Sequence, residues 1–204
     1  MRRNQRQEAK NRQAIGGLLY LTSGTRPDMA YSSTHMCQFN EKHTQEHWWG
    51  VKHISRYLKG TRQRKLKFRK KGEPLQIYSD ADWGGDRTDR KSYSGYIVLL
   101  VGASISCSSK KQPTTASSST EAGYVAMCHT AKESLWINNL LKEICSELVS
   151  PTHTQKVLVD NQGAIVIAKK PCDFRKKQTH RHQIFLFKRL GEGEKHCVCV
   201  YTIK

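Results

Sequence analysis

Three carboxylates in this 204-residue chain stand where structural elements are expected to begin or end. Asp80 closes the alternating stretch Leu75-Gln76-Ile77-Tyr78-Ser79-Asp80, Glu121 follows Ser118-Ser119-Thr120 at a helix start, and Asp160 closes the short apolar stretch beginning at Gln155. If the two strands pair in parallel, Asp80 and Asp160 meet at one end of a sheet, and a helix packed across them brings Glu121 within reach. Such a cluster of oxygens suits a hard divalent cation, because Mg²⁺ is held by a few carboxylates together with water and phosphate oxygens. Two such ions roughly 3.5 to 4 Å apart activate a water and steady the leaving oxygen of a phosphodiester. Each acid also has a plainer use. Ser118-x-x-Glu121 is a capping box, Asp160-Asn161 makes a turn after a strand, and Asp80-Ala81-Asp82 opens a loop.

The elements that must position these acids follow from the pattern of residues. The segment Thr44 to Gly60 places Trp48, Val51, Ile54 and Leu58 at helical spacing with Lys52, Arg56 and Lys59 beside them, which predicts an amphipathic helix with a basic flank. After Pro74 the pattern turns to strands at 75–80, 93–101 and 103–108, the last two joined as an antiparallel hairpin. A long helix runs from Ser118 to near Cys145, with Ala122, Val125, Ala126, His129, Trp136, Leu140 and Ile144 on one face. A strand at 155–160, helices at 162–169 and 180–190, and a strand at 197–201 complete the order β-β-β-α-β-α-α-β.

Charge divides the chain in the same place. The sequence carries 35 Lys and Arg against 17 Asp and Glu, a net charge of +18. Residues 1–74 hold 17 basic and 5 acidic side chains, and Arg56 to Lys71 contains nine basic residues and no acid. This marks a polyanion as the first partner to consider, although such a run can also be a solvated linker. The longest apolar run, Tyr96 to Gly102, is far short of the roughly 20 residues a membrane helix needs, and no signal peptide follows Met1-Arg2-Arg3. The seven cysteines form no CxxC pair. They read as reduced thiols of an intracellular protein, cytoplasmic or nuclear, and the His43/His47, His180/His182 and Cys197/Cys199 pairs make no recognised zinc quartet.

Several blocks together resemble the ribonuclease H domain of Ty1/copia-type retrotransposon Pol polyproteins. They are Tyr78-Ser79-Asp80-Ala81-Asp82-Trp83-Gly84-Gly85-Asp86, Asp89-Arg90-Lys91-Ser92-Tyr93-Ser94-Gly95-Tyr96, Ser109-Lys110-Lys111-Gln112, Ser118-Ser119-Thr120-Glu121-Ala122-Gly123-Tyr124 and Asp160-Asn161-Gln162-Gly163-Ala164-Ile165. Upstream, Gly17 to Thr22, Thr25-Arg26-Pro27-Asp28 and His47 to Thr61 resemble the end of the reverse transcriptase and its connection. The blocks keep the family's order and spacing from about Gln13 onward.

The resemblance implies an α/β, ribonuclease H-like fold with a mixed five-stranded sheet, preceded by a basic helical connection over 1–72, with the ribonuclease H-like part over 73–204. It implies hydrolysis of the RNA strand of RNA/DNA hybrids with two Mg²⁺, Mn²⁺ being able to substitute, and Asp80, Glu121 and Asp160 as catalytic metal ligands. The expected nucleic-acid contacts are Arg56, Lys59, Arg62, Lys65, Lys67, Arg69, Lys70, Lys110, Lys111, Asn161, Gln162, Lys176 and Lys177. The expected partners are a hybrid duplex and the parent reverse transcriptase, with no membrane. The chain departs from the family pattern in three places. A fourth acid and a closing helix are expected after the last strand, where the sequence ends at Lys204, a second acid where Gly123 stands, and an acid where His182 aligns. The alternative reading is an inactive nucleic-acid-binding remnant of such a polyprotein.

Overall fold

The computed structural model describes residues 2–69, 75–144, 155–169, 185–188 and 197–202. Its first part is helical: α1 (Arg2–Gly24), a short 3-10 turn (Pro27–Met29), α2 (Ala30–Cys37) and α3 (Gln45–Gly60). Val51 and Ile54 of α3 are buried against Ile15, Leu18 and Met29, with Trp48 and Leu58 partly buried at the rim, so the apolar stripe read from the sequence is the packed one. Thr44 and His47 cap α3, the Thr44 N–H donating to His47 Nδ1 at 2.9 Å.

Thr25-Arg26-Pro27-Asp28 locks this helical unit. The Arg26 side chain is buried and grips Asp28 with two parallel bonds, Nε to Oδ1 at 2.9 Å and a terminal nitrogen to Oδ2 at 2.8 Å. It also donates to the Thr61 hydroxyl at 2.7 Å, while the Tyr57 hydroxyl donates to Asp28 at 2.7 Å. A fork that satisfies a carboxylate and the end of α3 at once pins the 3-10 turn to that helix. The Arg26 bonds hold the Asp28 carboxyl down at about 2.

The second part is a mixed sheet of β1 (Leu75–Ala81), β2 (Tyr93–Leu100), β3 (Ala103–Lys111), β4 (Gln155–Val159), β5 (Phe185–Lys188) and β6 (Cys197–Thr202), with α4 (Ser119–Ile144) and α5 (Gln162–Lys169). The strand order is β3-β2-β1-β4-β6-β5. β1 and β4 run parallel, with Ile77 opposite Val157 and Ser79 opposite Val159, and the other neighbours are antiparallel. Ile77, Val98, Val157 and Val159 form the core with Met127, Ala131 and Ile137 of α4 and Ala164 and Ile165 of α5. Small residues Ala122, Ala126 and Ala131 let α4 lie close to the strands, and the buried Thr130 hydroxyl donates to Ser79 Oγ at 2.8 Å. No helix among the described residues is long and apolar enough to cross a membrane.

The two parts meet at β3, where α2 packs. Tyr93 is the joint: its hydroxyl bonds His35 Nδ1 at 3.0 Å and the Gln38 amide, and Tyr31 meets its ring edge-on. The backbone N–H of Arg69 also donates to the Val101 carbonyl at 3.0 Å, fixing this residue of the basic run to the β2–β3 turn.

Four details differ from the expectations. The sheet has six strands rather than five, because Phe185–Lys188, inside the segment expected to be helical, pairs with β6 from Phe185–Thr202 to Lys188–Cys199. The apolar run Phe185-Leu186-Phe187 carries no period that separates strand from helix, and the free edge of β6 decides. The remainder of 180–190, including His182, lies outside the described residues. The hairpin turns at Val101 and Gly102, both with positive φ of 46° and 84°, the backbone a two-residue hairpin needs. β3 continues to Lys111, its last residues paired with Tyr93 and Ser94. The far half of the α4 stripe, Trp136, Leu140 and Ile144, is exposed among the described residues.

Candidate active site

The parallel register puts Ser79 and Val159 side by side as the last paired residues of β1 and β4, so the next residues, Asp80 and Asp160, sit together at one sheet end. Both are exposed and both line a groove of about 600 Å³, walled further by Tyr78, Gly95, Ile97 and Leu158. Among the described residues neither carboxylate forms an ion pair. Asp80 Oδ1 accepts the N–H of Ala81 at 2.7 Å. Two open carboxylates with neighbouring backbones are the donor type Mg²⁺ prefers, and in this respect the residues fit the metal.

Glu121 is held elsewhere. Ser79 is buried under α4, and side chains alternate along a strand, so Asp80 leaves the sheet on the face away from that helix. Glu121 sits in the first turn of α4 and folds back, accepting the Ser117 hydroxyl at 2.6 Å and the Ser117 N–H at 2.7 Å, which lowers its pKa. Its own N–H donates to Ser118 Oγ at 3.1 Å. This is a capping arrangement, with the carboxylate reaching one residue beyond the N-cap. Among the described residues no three His, Cys, Asp or Glu side chains are grouped closely enough to share a metal ion.

The start of α4 is nevertheless near Asp160. Asn161 Oδ1 accepts the Ala164 N–H at 2.9 Å, capping α5, and its Nδ2 donates to the Ser119 carbonyl at 3.1 Å. Gly163 makes this approach possible, since a Cβ there would stand 2.4 Å from Thr120 Oγ1.

The basic residues divide. Lys111, expected on nucleic acid, is instead structural: its ammonium meets Asp86 at 2.5 Å and Asp89 at 2.9 Å, which raises its pKa. Asp86 is buried, also accepts the Thr88 N–H, and is held at about 2, chiefly by Lys111. Asn161 uses both ends of its amide within the fold. Lys110 is exposed on β3, and Gln162 is exposed at the start of α5. Arg56, Lys59, Arg62, Lys65, Lys67 and Arg69 are all exposed, but Arg69 is fixed at the Val101 turn, five rungs of the β1–β2 ladder from Asp80, about 17 Å at 3.3 Å per residue. Arg69, the last described residue of the basic run, thus sits at the opposite end of β1 from the aspartates. Lys70, Lys176 and Lys177 lie outside the described residues.

Sequence reasoning did not single out Gln112, which is buried and bonds Ser94 Oγ at 2.8 Å and the Ala122 carbonyl at 3.0 Å. The sequence reads Asp82 only as part of a loop opening, but its Oδ1 accepts the Tyr93 N–H at 2.5 Å and its carboxyl group packs where a Cβ on Gly85 would stand.

Comparison with known proteins places the chain among transposon polyproteins. It is 40% identical over 168 residues to the retrovirus-related Pol polyprotein from transposon RE2 of Arabidopsis thaliana, covering 81% of this chain and 11% of that protein. It is 39% identical over 158 residues to the corresponding polyprotein from transposon TNT 1-94 of Nicotiana tabacum, covering 76% of this chain and 11% of that one. A shorter relative, the secreted RxLR effector protein 161 of Plasmopara viticola, is 41% identical over 125 residues, which is 61% of this chain and 88% of the effector. The chain thus spans 11% of the length of the Pol polyproteins it matches. No protein-family profile and no solved structure matches it.

Proposed function

The chain belongs to the Ty1/copia-type retrovirus-related Pol polyproteins, and from that premise we propose that it is the ribonuclease H-like part, hydrolysing the RNA strand of RNA/DNA hybrids with two Mg²⁺. One observation carries the reading. The parallel β1–β4 pairing sets two open carboxylates, Asp80 and Asp160, at one sheet end and in one groove.

Asp80 and Asp160 would hold the metal, with Glu121 as third ligand once its carboxylate leaves Ser117. The bond from Asn161 to the Ser119 carbonyl ties the first turn of α4 to the loop after Asp160, the side from which Glu121 would approach. The bound ions supply a water of lowered pKa and charge stabilisation at the leaving oxygen. The chain's residues would do the rest: the carboxylates would hold the ions, and the exposed cations of 56–69 would hold the polyanion along the protein. The hybrid itself, as opposed to other duplexes, rests on the family.

A second reading, a nucleic-acid-binding remnant without turnover, is favoured by the capped Glu121. A labelled hybrid incubated with the chain in Mg²⁺ or Mn²⁺ separates the two. Metal-dependent cutting of the RNA strand that disappears in Asp80→Asn and Asp160→Asn supports the hydrolase. Salt-sensitive binding without cutting supports the remnant.

A further inference from the structure

We infer that Trp83 and Arg90 form a subsite for an unpaired nucleotide beside Asp80, the indole stacking on its base and the guanidinium meeting its phosphate. The inference deepens the hydrolase reading above by naming the form of the substrate, a hybrid with a single-stranded end, and it needs no metal ion.

Trp83 is the third residue beyond Asp80, so their Cα atoms are at most about 11 Å apart, about three base steps along a strand. Its side chain is 55% exposed, although tryptophan is on average a highly buried residue. The polar edge is already satisfied, since Nε1 donates to the Ala116 carbonyl at 3.1 Å. What the indole offers to a ligand is therefore apolar ring. Stacking on such a ring accepts any base, because every base has a π face.

The loop that carries the indole is braced along its length. Gly84 is buried at a φ of 62°, and its N–H donates to Ser92 Oγ at 3.0 Å. The Asp82 N–H donates to the Tyr93 carbonyl at 3.2 Å and the Asp86 N–H to the Lys91 carbonyl at 3.1 Å, while Lys111 grips the Asp86 carboxylate. A platform held this firmly loses little freedom when a base settles on it.

Arg90 supplies the charge. It is held at a φ of 57°, left-handed backbone that is unfavourable for a residue with a side chain and that clusters at functional sites. Its guanidinium lies over Gly84, where a Cβ would stand 3.2 Å from a terminal nitrogen. Arg90 is exposed and, among the described residues, forms no ion pair. A cation beside the residue that follows the indole suits the phosphate of a nucleotide stacked there. Bases inside a continuous duplex cover one another, and aromatic side chains stack on bases that are splayed out, so the nucleotide that fits is an unpaired one.

The test uses the whole chain and a fluorescently labelled RNA/DNA hybrid, blunt or with a short overhang on either strand, in EDTA so that nothing is cut. Anisotropy titrations at raised salt, where phosphate contacts count least, read the stacking. Wild type should prefer an overhang to the blunt duplex by about fivefold or more, and Trp83→Leu should bind both alike. Trp83→Phe, which keeps a ring but not the bond to Ala116, should retain most of the preference. Trp136→Leu, which removes another exposed indole about 25 Å along α4 from its start, should behave as wild type. Arg90→Gln should lower the salt slope for the overhang hybrid by about 0.7, the share of one single-strand phosphate. Equal loss in Trp83→Phe and Trp83→Leu would make the indole a brace for the 112–118 loop and overturn the subsite. Wild type without overhang preference, but cutting the hybrid in Mg²⁺, overturns the subsite and leaves the hydrolase standing. Preference without cutting upholds the subsite and sinks the hydrolase, and failure to bind any hybrid overturns both.

Discussion

Asp80 and Asp160 lie more than 70 residues apart in the sequence, yet each is the residue immediately beyond the last rung, Ser79–Val159, of the parallel β1–β4 pair. Their nearness is a property of the backbone register and needs no contact between the side chains. A single-residue slip of β4 would turn Asp160 to the covered face.

Glu121→Gln distinguishes cap from ligand. The amide oxygen can still accept from Ser117, so the thermal midpoint should move little. Cleavage of a labelled hybrid should fall on the order of a hundredfold or more, the scale of losing a charge stabiliser in the transition state. Equal cleavage by wild type and variant would leave Glu121 as a helix cap alone.

Replacing Lys65, Lys67 and Arg69 by Gln should reduce the slope of log affinity against log salt by about 2 to 3, close to 0.9 per phosphate contact. The three are exposed and, among the described residues, have no acidic partner. Lys111→Gln should leave that slope nearly unchanged, because its charge is already spent on Asp86 and Asp89. Filter binding over a salt series reads both.

Acid should weaken the Asp86–Lys111 link in a defined window. The Asp86 carboxyl titrates at about 2 in the fold against an ordinary value of 3.8. A depressed carboxylate contributes stability above its unfolded pKa and loses it as pH falls from about 4 towards 2. Asp86→Asn should therefore cost about 1 to 2 kcal/mol at neutral pH and flatten the acid side of the stability curve. A variant whose loss persists undiminished at pH 2 would show that packing, not charge, holds this loop.

Tyr93→Phe removes the hydroxyl shared by His35 and Gln38 and should cost about 1 to 2 kcal/mol, since it leaves two partners of a largely buried joint unpaired. Proteolysis should then cut between α3 and β1 sooner than in wild type. An unchanged cleavage rate would mean that Tyr31 and the Arg69–Val101 bond hold the helical unit without it.

Local pattern alone determined much of this protein. The alternation Ile77 in, Tyr78 out, Ser79 in, Asp80 out is visible in residue types, as are the α3 stripe, the helix start at Ser118 and the weight of positive charge before β1. These are legible because strand and helix periods and capping chemistry act between residues a few positions apart. Tertiary structure decided everything that depends on a partner distant in sequence. It made Phe185–Lys188 a strand through the edge of β6, withdrew Lys111 into an ion pair with Asp86, and set Arg69 at the far end of β1 from the aspartates. It also placed α4 on the face opposite Asp80 and left the Glu121 carboxylate on Ser117 rather than in the groove of the two aspartates. A side chain's charge and period are its own, but its distance to another side chain is set by the register and packing of the backbones between them.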